Sequence, residues 1–337
     1  MSENLLSIEG LDVEFRSSSS TVKAVNGVNL TLKKKQTLGI VGESGSGKSV
    51  TATALMQLIP SPPGKISCGK IIFNGTDLLT LSKKEMRDIR GNEIAMIFQD
   101  PMTSLNPVFT VGNQIVEAIR QHKKISKKEA RKEAVAMLKT VGIPEPDRRI
   151  DMYPHEFSGG MRQRAMIAIA LSCNPKLLIA DEPTTALDVT VQAQILELMK
   201  DLQESNDTSI IMITHDLGVV WEMCDNIIVM YAGTTVESGS VESVFRDPMH
   251  PYTWGLLESQ ITKDVQHNEK LPAIPGSPPD LRKPVHGCPF VDRCPYSKEI
   301  CHNKKPEFIE VEPDHFTACH FQTKTSRLLR REGMFID

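Results

Sequence analysis

The chain has 337 residues, 40% hydrophobic and 24% charged, the composition of an ordinary globular protein with about two domains. Its formal net charge of −3 offers no global field to nucleic acid, and no apolar run approaches the ~20 residues needed to span a bilayer. The first residues lack the basic n-region and apolar core of a signal peptide, so a membrane role is expected to come through a partner.

Residues 5–41 alternate with β periodicity through Leu6, Ile8, Leu11, Val13 and Phe15, then from Val25 to Leu32, with a hairpin loop over 17–20. The apolar strand 37–41 runs into Gly42-Glu-Ser44-Gly45-Ser46-Gly47-Lys48-Ser49, a G-x-x-x-x-G-K-[ST] phosphate loop that opens a helix through about Leu58. Gly42, Gly45 and Gly47 let successive N–H groups turn toward one anion, and the helix N-terminus faces the same anion. Lys48 adds a cation for the β- and γ-phosphates, and the Ser49 hydroxyl suits Mg²⁺. Ser44, Ser46 and Val50 complete the expected nucleotide contacts.

An extended segment over 69–73 ends in Asn74-Gly75, a tight-turn signal. Residues 113–140 are rich in Lys, Glu, Ala and Ile, with Ile115, Ile119, Ala134, Met137 and Leu138 at helical spacing. The basic run 123–132 reads as a solvated helix face. From Leu177 onward, apolar strands (177–180, 209–214, 227–231) alternate with helices (191–203, 217–224), which predicts a mostly parallel sheet. A Pro-rich run over 271–279 marks a linker, and 280–325 is rich in Cys, Pro and His with little periodicity.

Two further features carry chemistry. The strand from Leu177 ends in Asp181-Glu182, where the first carboxylate suits Mg²⁺ and the second suits a general base for the attacking water. Ser158-Gly159-Gly160 stands at the start of a helix and offers a second anion-binding N-terminus, which fits a nucleotide held between two protomers.

These residues resemble the ATP-binding cassette (ABC) ATPases over residues 5 to about 240. The resemblance implies an α/β, P-loop ATPase core of mostly parallel sheet flanked by helices, with an N-terminal antiparallel β subdomain and a helical subdomain over about 102–170. It implies that 42–49 is the Walker A loop, 177–181 the Walker B strand and Ser158-Gly159-Gly160 the signature motif. Gln99 would be the glutamine that meets Mg²⁺ and the transmembrane partner. Ala186-Leu187-Asp188 would be the D-loop, and His215 the histidine that senses the γ-phosphate. Met161 departs from the Gln usual after the signature glycines. Phe15 is the candidate for stacking on adenine, with a hairpin-core role as the alternative.

Three longer stretches (98–107, 152–164 and 180–194), together with His250-Pro-Tyr-Thr-Trp-Gly-Leu-Leu257, are similar to the ATP-binding subunits of bacterial oligopeptide and dipeptide permeases, closest to the oligopeptide type. That similarity implies a nucleotide-binding domain over 1–258 and a C-terminal extension over 259–337. It implies a peripheral site on the cytoplasmic face of the cell membrane, in a heterodimer with a second ATPase subunit. Two transmembrane permease subunits and, indirectly, an extracytoplasmic peptide-binding protein complete the assembly. An importer ATPase for a dipeptide, murein peptide or nickel is the alternative. A soluble nucleic-acid-linked ABC ATPase is a second; the lack of a coiled-coil insertion argues against it.

Cys288, Cys294, Cys301 and Cys319 place four thiols close together near the C-terminus. Disulfides do not suit a cytoplasmic ATPase. Structural zinc needs four ligands but usually shows close C-x₂₋₄-C pairs, which are missing here. A 4Fe–4S cluster also takes four thiolates and tolerates wider spacing. The permease resemblance implies the cluster, with Zn²⁺ as the alternative.

Overall fold

The computed structural model describes residues 4–18, 20–100, 104–185, 187–259 and 273–330. Ala186, residues 101–103 and the segment 260–272, which take in part of the D-loop and linker expectations, lie outside the described residues. The chain forms two compact units, each described by itself. One comprises residues up to Leu5, Leu32–Thr37 and Leu78–Ile213; the other comprises Leu6–Thr31, Leu38–Asp77 and the chain from Thr214.

The first unit is built on β6 (Ile94–Ile97), β7 (Leu177–Asp181) and β8 (Ser209–Ile213), parallel neighbours in the order β8-β7-β6. Every residue of the three strands is buried, which explains why each reads as an unbroken apolar run rather than an alternating one. The helical stretch expected over 113–140 is two helices, Val111–His122 and Lys127–Thr140. Ser126 divides them. Its hydroxyl accepts from Glu129 N–H, and Glu129 caps Ser126 N–H in return, so a new helix starts there. Ile115, Ile119, Ala134 and Leu138 are buried as their spacing predicts. Helix Gly159–Leu171 is buried along most of its length and follows Ser158 directly.

The second unit opens with β1 (Asn4–Arg16), β2 (Thr21–Lys33), β4 (Gly64–Phe73) and β5 (Thr76–Asp77), in the order β2-β1-β4-β5. The β4–β5 turn has both Asn74 (φ 47) and Gly75 (φ 85) left-handed, the hairpin geometry its sequence signals. Strand β4 begins at Gly64 rather than at Gly69, opposite Phe15 of β1.

The unit's second sheet region runs β11-β12-β10-β9-β3, where β3 is Thr37–Val41, β9 Asn226–Tyr231, β10 Thr234–Ser240, β11 Ile309–Glu312 and β12 His315–Thr317. Strand β3 is parallel to β9, whereas β9–β10 and β10–β12 are antiparallel. The C-terminal segment, which the sequence presents as nearly patternless, therefore supplies a hairpin that continues the sheet from β10. Its core merges with that of the strands: Phe290 packs edge-on to Tyr231, with ring centroids 5.2 Å apart, and also touches Tyr252. Among the described residues no helix is long and apolar enough to cross a membrane.

Candidate functional site

The phosphate loop leaves β3 and enters a helix, Lys48–Leu55, that stops three residues short of the sequence expectation; Gln57 (φ 48) turns the chain out. Gly42 (φ 148) lies so close to the neighbouring strand that a Cβ would meet Met230 O at 2.1 Å. Gly47 (φ 100) would meet Ala24 O at 2.6 Å. Both positions exclude any side chain, so these two glycines serve packing as much as phosphate access. Lys48 is buried, and its Nζ donates to Gly42 O at 2.7 Å and Glu43 O at 2.9 Å. The loop thus folds around its own ammonium. Ser46 is buried and Val50 half-buried, while Ser44, Gly45 and Ser49 are exposed where a ligand would approach. The Ser44–Ser46 stretch lines a cavity that residues Pro278, Pro279 and Leu281 also wall.

Phe15 is half-buried, its ring edge against Gly64, where a Cβ would come within 2.9 Å of it. His215 is exposed, one residue past the buried Thr214 and just ahead of Asp216, whose carboxylate caps the helix Leu217–Met223.

The first unit holds the carboxylates. Asp181 is buried at the end of β7, and Glu182 follows in a left-handed conformation (φ 48). For a non-glycine residue that backbone costs about 1–2 kcal/mol. It is held by Glu182 N–H donating to Ile213 O at 2.8 Å. The Glu182 Oε2 accepts from Gln99 Nε2 at 2.8 Å and from Thr185 Oγ1 at 2.9 Å. The strained backbone therefore presents one carboxylate already oriented by two donors. Ser158 caps helix Gly159–Leu171 through Met161 N–H, and Ser158 and Gly159 are exposed. Gly160 packs instead against the helix Val189–Asn206: a Cβ there would sit 3.0 Å from Val191. Asp188 caps that same helix through Val191 N–H at 3.0 Å. Met161 Sδ receives Arg149 Nη1 at 3.3 Å. The buried Gln163, which sequence reasoning passed over, bonds to Pro183 O beside the carboxylates.

All seven cysteines are free thiols. Cys288, Cys294, Cys301 and Cys319 line one apolar pocket together with Phe290 and Phe321. Burial, reinforced by the neighbouring cysteines, pushes the thiols of Cys288 and Cys319 up to about 11 and that of Cys294 to about 12. Backbone hydrogen bonds oppose that shift: Phe290 toward Cys288, Tyr296 toward Cys294 and Phe321 toward Cys319. In each case the backbone group lies two residues on, a spacing suited to stabilising a thiolate. Among the described residues no group of three or more His, Cys, Asp or Glu is arranged to hold a metal ion.

The most conspicuous residue that the sequence did not single out is Arg293, which bridges this segment to the phosphate loop. Its Nη1 lies 2.7 Å from Glu43 Oε2. No local pattern marks it, because its partner lies far away along the chain.

Comparisons with known proteins agree with this geometry. A family profile described as "ABC transporter" matches residues 25–185, and one described as "Oligopeptide/dipeptide transporter, C-terminal region" matches 236–301. The Bacillus subtilis oligopeptide transport ATP-binding protein OppD is 58% identical over 312 residues, covering 93% of this chain and 87% of that protein. The Bacillus subtilis dipeptide transport ATP-binding protein DppD is 53% identical, covering 95% of each. The Escherichia coli OppD is 53% identical, covering 94% of this chain and 92% of its own. Among solved structures, the dimeric post-hydrolysis state of the ATP-binding cassette MJ0796 bound to ADP and Pi superposes with a TM-score of 0.64 at 28% identity, over 70% of this chain and 98% of that one. CbiO1 of Clostridium perfringens, part of the transporter complex cbiONQ, gives 0.61 at 30% identity, over 73% and 92%. With its phosphate loop, its carboxylate-tipped strand and relatives aligned along nearly its whole length, the chain belongs to the ATP-binding proteins of the oligopeptide/dipeptide ABC transporter family.

Proposed function

We propose that this chain hydrolyses ATP to energise the import of peptides, oligopeptides foremost, through transmembrane permease subunits. The observation that carries the ATPase reading is Glu182, strained in backbone and held by Gln99 and Thr185 beside the buried Asp181. Glu182 acts as general base on the attacking water. Lys48 leaves its two carbonyls to meet the β- and γ-phosphates, and His215 approaches the γ-phosphate. The backbone N–H groups of 42–49 and the N-terminus of helix Lys48–Leu55 receive negative charge. Ser49, Gln99 and Asp181 are the residues that would hold Mg²⁺, which would supply positive charge against the phosphoryl group in transfer.

The exposure of Ser158, Gly159, Asp188 and the 84% exposed Val189 supports a second, homologous ATPase subunit meeting this face. Residues 1–258 serve as the nucleotide-binding domain and 259–337 as an extension. The peptide reading draws on the printed functions of the relatives. It implies a peripheral position at the cytoplasmic face of the cell membrane and an extracytoplasmic peptide-binding protein upstream.

The four clustered cysteines fit a thiolate-bound group, and a 4Fe–4S cluster is favoured over zinc. The preference rests on spacing: the four cysteines lack the close C-x₂₋₄-C pairs usual at structural zinc, whereas a cluster tolerates wider intervals. Such a group would supply folding energy to a segment with little core of its own.

Glu182→Gln is the direct test. Phosphate release should fall by about 10²–10⁴-fold while ATP still binds. Near-normal turnover would reject the base assignment. Loss of peptide uptake in cells lacking this chain, restored by wild type and not by Glu182→Gln, tests the transport reading. Iron, sulfide and zinc analysis of anaerobically purified protein tests the cysteine site.

A further inference from the structure

Arg293 immediately precedes Cys294 and is only 7% exposed. Its Nη1 and Nη2 donate to Glu43 Oε2 and Oε1 at 2.7 and 3.0 Å, a bidentate pair. The other donors are also satisfied: Nε by Pro275 O at 2.8 Å, Nη2 by Ile274 O at 3.0 Å and Nη1 by the Tyr231 hydroxyl at 3.2 Å. The guanidinium lies 5.7 Å from the Tyr231 ring centroid and 5.9 Å from that of Phe290. Its position is therefore fixed by the cysteine-rich segment and the run before it.

Glu43 is the second residue of the phosphate loop. Its N–H donates to the Tyr252 hydroxyl at 2.8 Å, and its carbonyl accepts from Lys48 Nζ. An unpaired carboxylate at this point would repel a polyphosphate entering the loop. Paired with Arg293, the charge is neutralised and the carboxylate is held in one direction. Lysine, a point charge without the planar fork, would not reproduce both bonds.

We propose that Arg293 is a positioning residue of the nucleotide site: it holds the Glu43 carboxylate, and with it the first turn of the phosphate loop, so that ATP affinity depends on the cysteine-rich segment being in place. The assignment rests on the reading of 42–49 as the ATP site. Coupling of this kind is reciprocal, so nucleotide should in turn order residues 274–294.

The test uses the full chain and a non-hydrolysable ATP analogue with Mg²⁺, titrated against wild type, Arg293→Gln, Glu43→Gln and the double variant. Arg293→Gln should weaken binding about tenfold or more. In the Glu43→Gln background the same change should cost about threefold or less, because no carboxylate remains to be unmasked. A merely structural role in the extension would give equal losses in both backgrounds, and that result, or wild-type affinity in a folded Arg293→Gln, overturns the proposal. Hydrogen exchange supplies a readout that needs neither activity nor Arg293 variants. Glu43→Ala should exchange faster than wild type over 274–294 and lose any slowing by nucleotide there. Unchanged exchange in Glu43→Ala overturns the proposal even if Arg293→Gln does not fold. Failure of the wild type to bind the analogue would reject the ATP-site reading instead, leaving the exchange comparison without nucleotide to decide the latch.

Discussion

The two units handle polar groups in opposite ways. Around the phosphate loop each charge is satisfied from within: Lys48 by two carbonyls, Glu43 by Arg293. Around the signature residues, Ser158, Gly159, Asp188 and Val189 stand at the surface. The first region is closely packed, with Gly42 and Gly47 leaving no room for a side chain. The second has its local caps in place but exposes the groups whose proposed chemistry requires a ligand or a second subunit. Nucleotide binding and nucleotide hydrolysis should therefore separate cleanly by region.

Lys48→Ala removes the cation from the closely packed side and should cost about a hundredfold in ATP affinity, read by fluorescent-nucleotide titration; retained affinity would mean that the loop's N–H groups suffice. Gly159→Asp places a negative charge on the exposed side. It should leave binding to the isolated chain within about twofold and lower hydrolysis in the assembled transporter by about tenfold or more. Loss of binding in the isolated chain would erase the contrast between the regions. Gly160→Ala tests packing alone. With Val191 3.0 Å from the added methyl, it should cost about 1 kcal/mol, a melting-temperature drop of a few degrees. Smallest is a pH effect in the second unit. Complete burial pushes the His250 imidazole down to about 3, and its Nδ1 accepts from Tyr252 N–H. A depressed folded-state value means the stabilisation is whole above the unfolded value of about 6.5 and is lost as pH falls toward 3. Melting temperature measured from pH 7 to 4 should fall less steeply in His250→Asn, which keeps a capping acceptor without the titration.

What the sequence made legible was local. The phosphate loop, the carboxylate pair and the Asn74-Gly75 turn are contiguous, and their spacing is itself the physical signal. The parallel strands β7 and β8 were readable because burial on both faces writes an unbroken apolar run. Less was visible where structure depends on distant partners. Arg293 carries no mark of its pairing with Glu43. Nothing near Glu182 foretells its left-handed backbone, which the neighbouring strand imposes through Ile213 O. The hairpin β11–β12 is too short to show periodicity, and it is set by the edge of β10 rather than by its own residues. The split at Ser126 was legible in principle, since Ser126 and Glu129 form a capping box, but the surrounding Lys-rich composition hid it.

The buried carboxylate of Glu237 on β10 has a consequence for how the chain can be shortened. It accepts from Met249 N–H at 2.7 Å and His250 N–H at 2.8 Å, and it pairs with His315 of β12 at 2.8 Å. A protein cut after residue 258 would lose His315 from that carboxylate and Thr317 from the strand beside it. Strand β10 would then become a bare edge, open to pairing with a neighbouring molecule. The cassette cannot be trimmed to a minimal ATPase without inviting aggregation; for this chain the extension is the cover that keeps the sheet soluble.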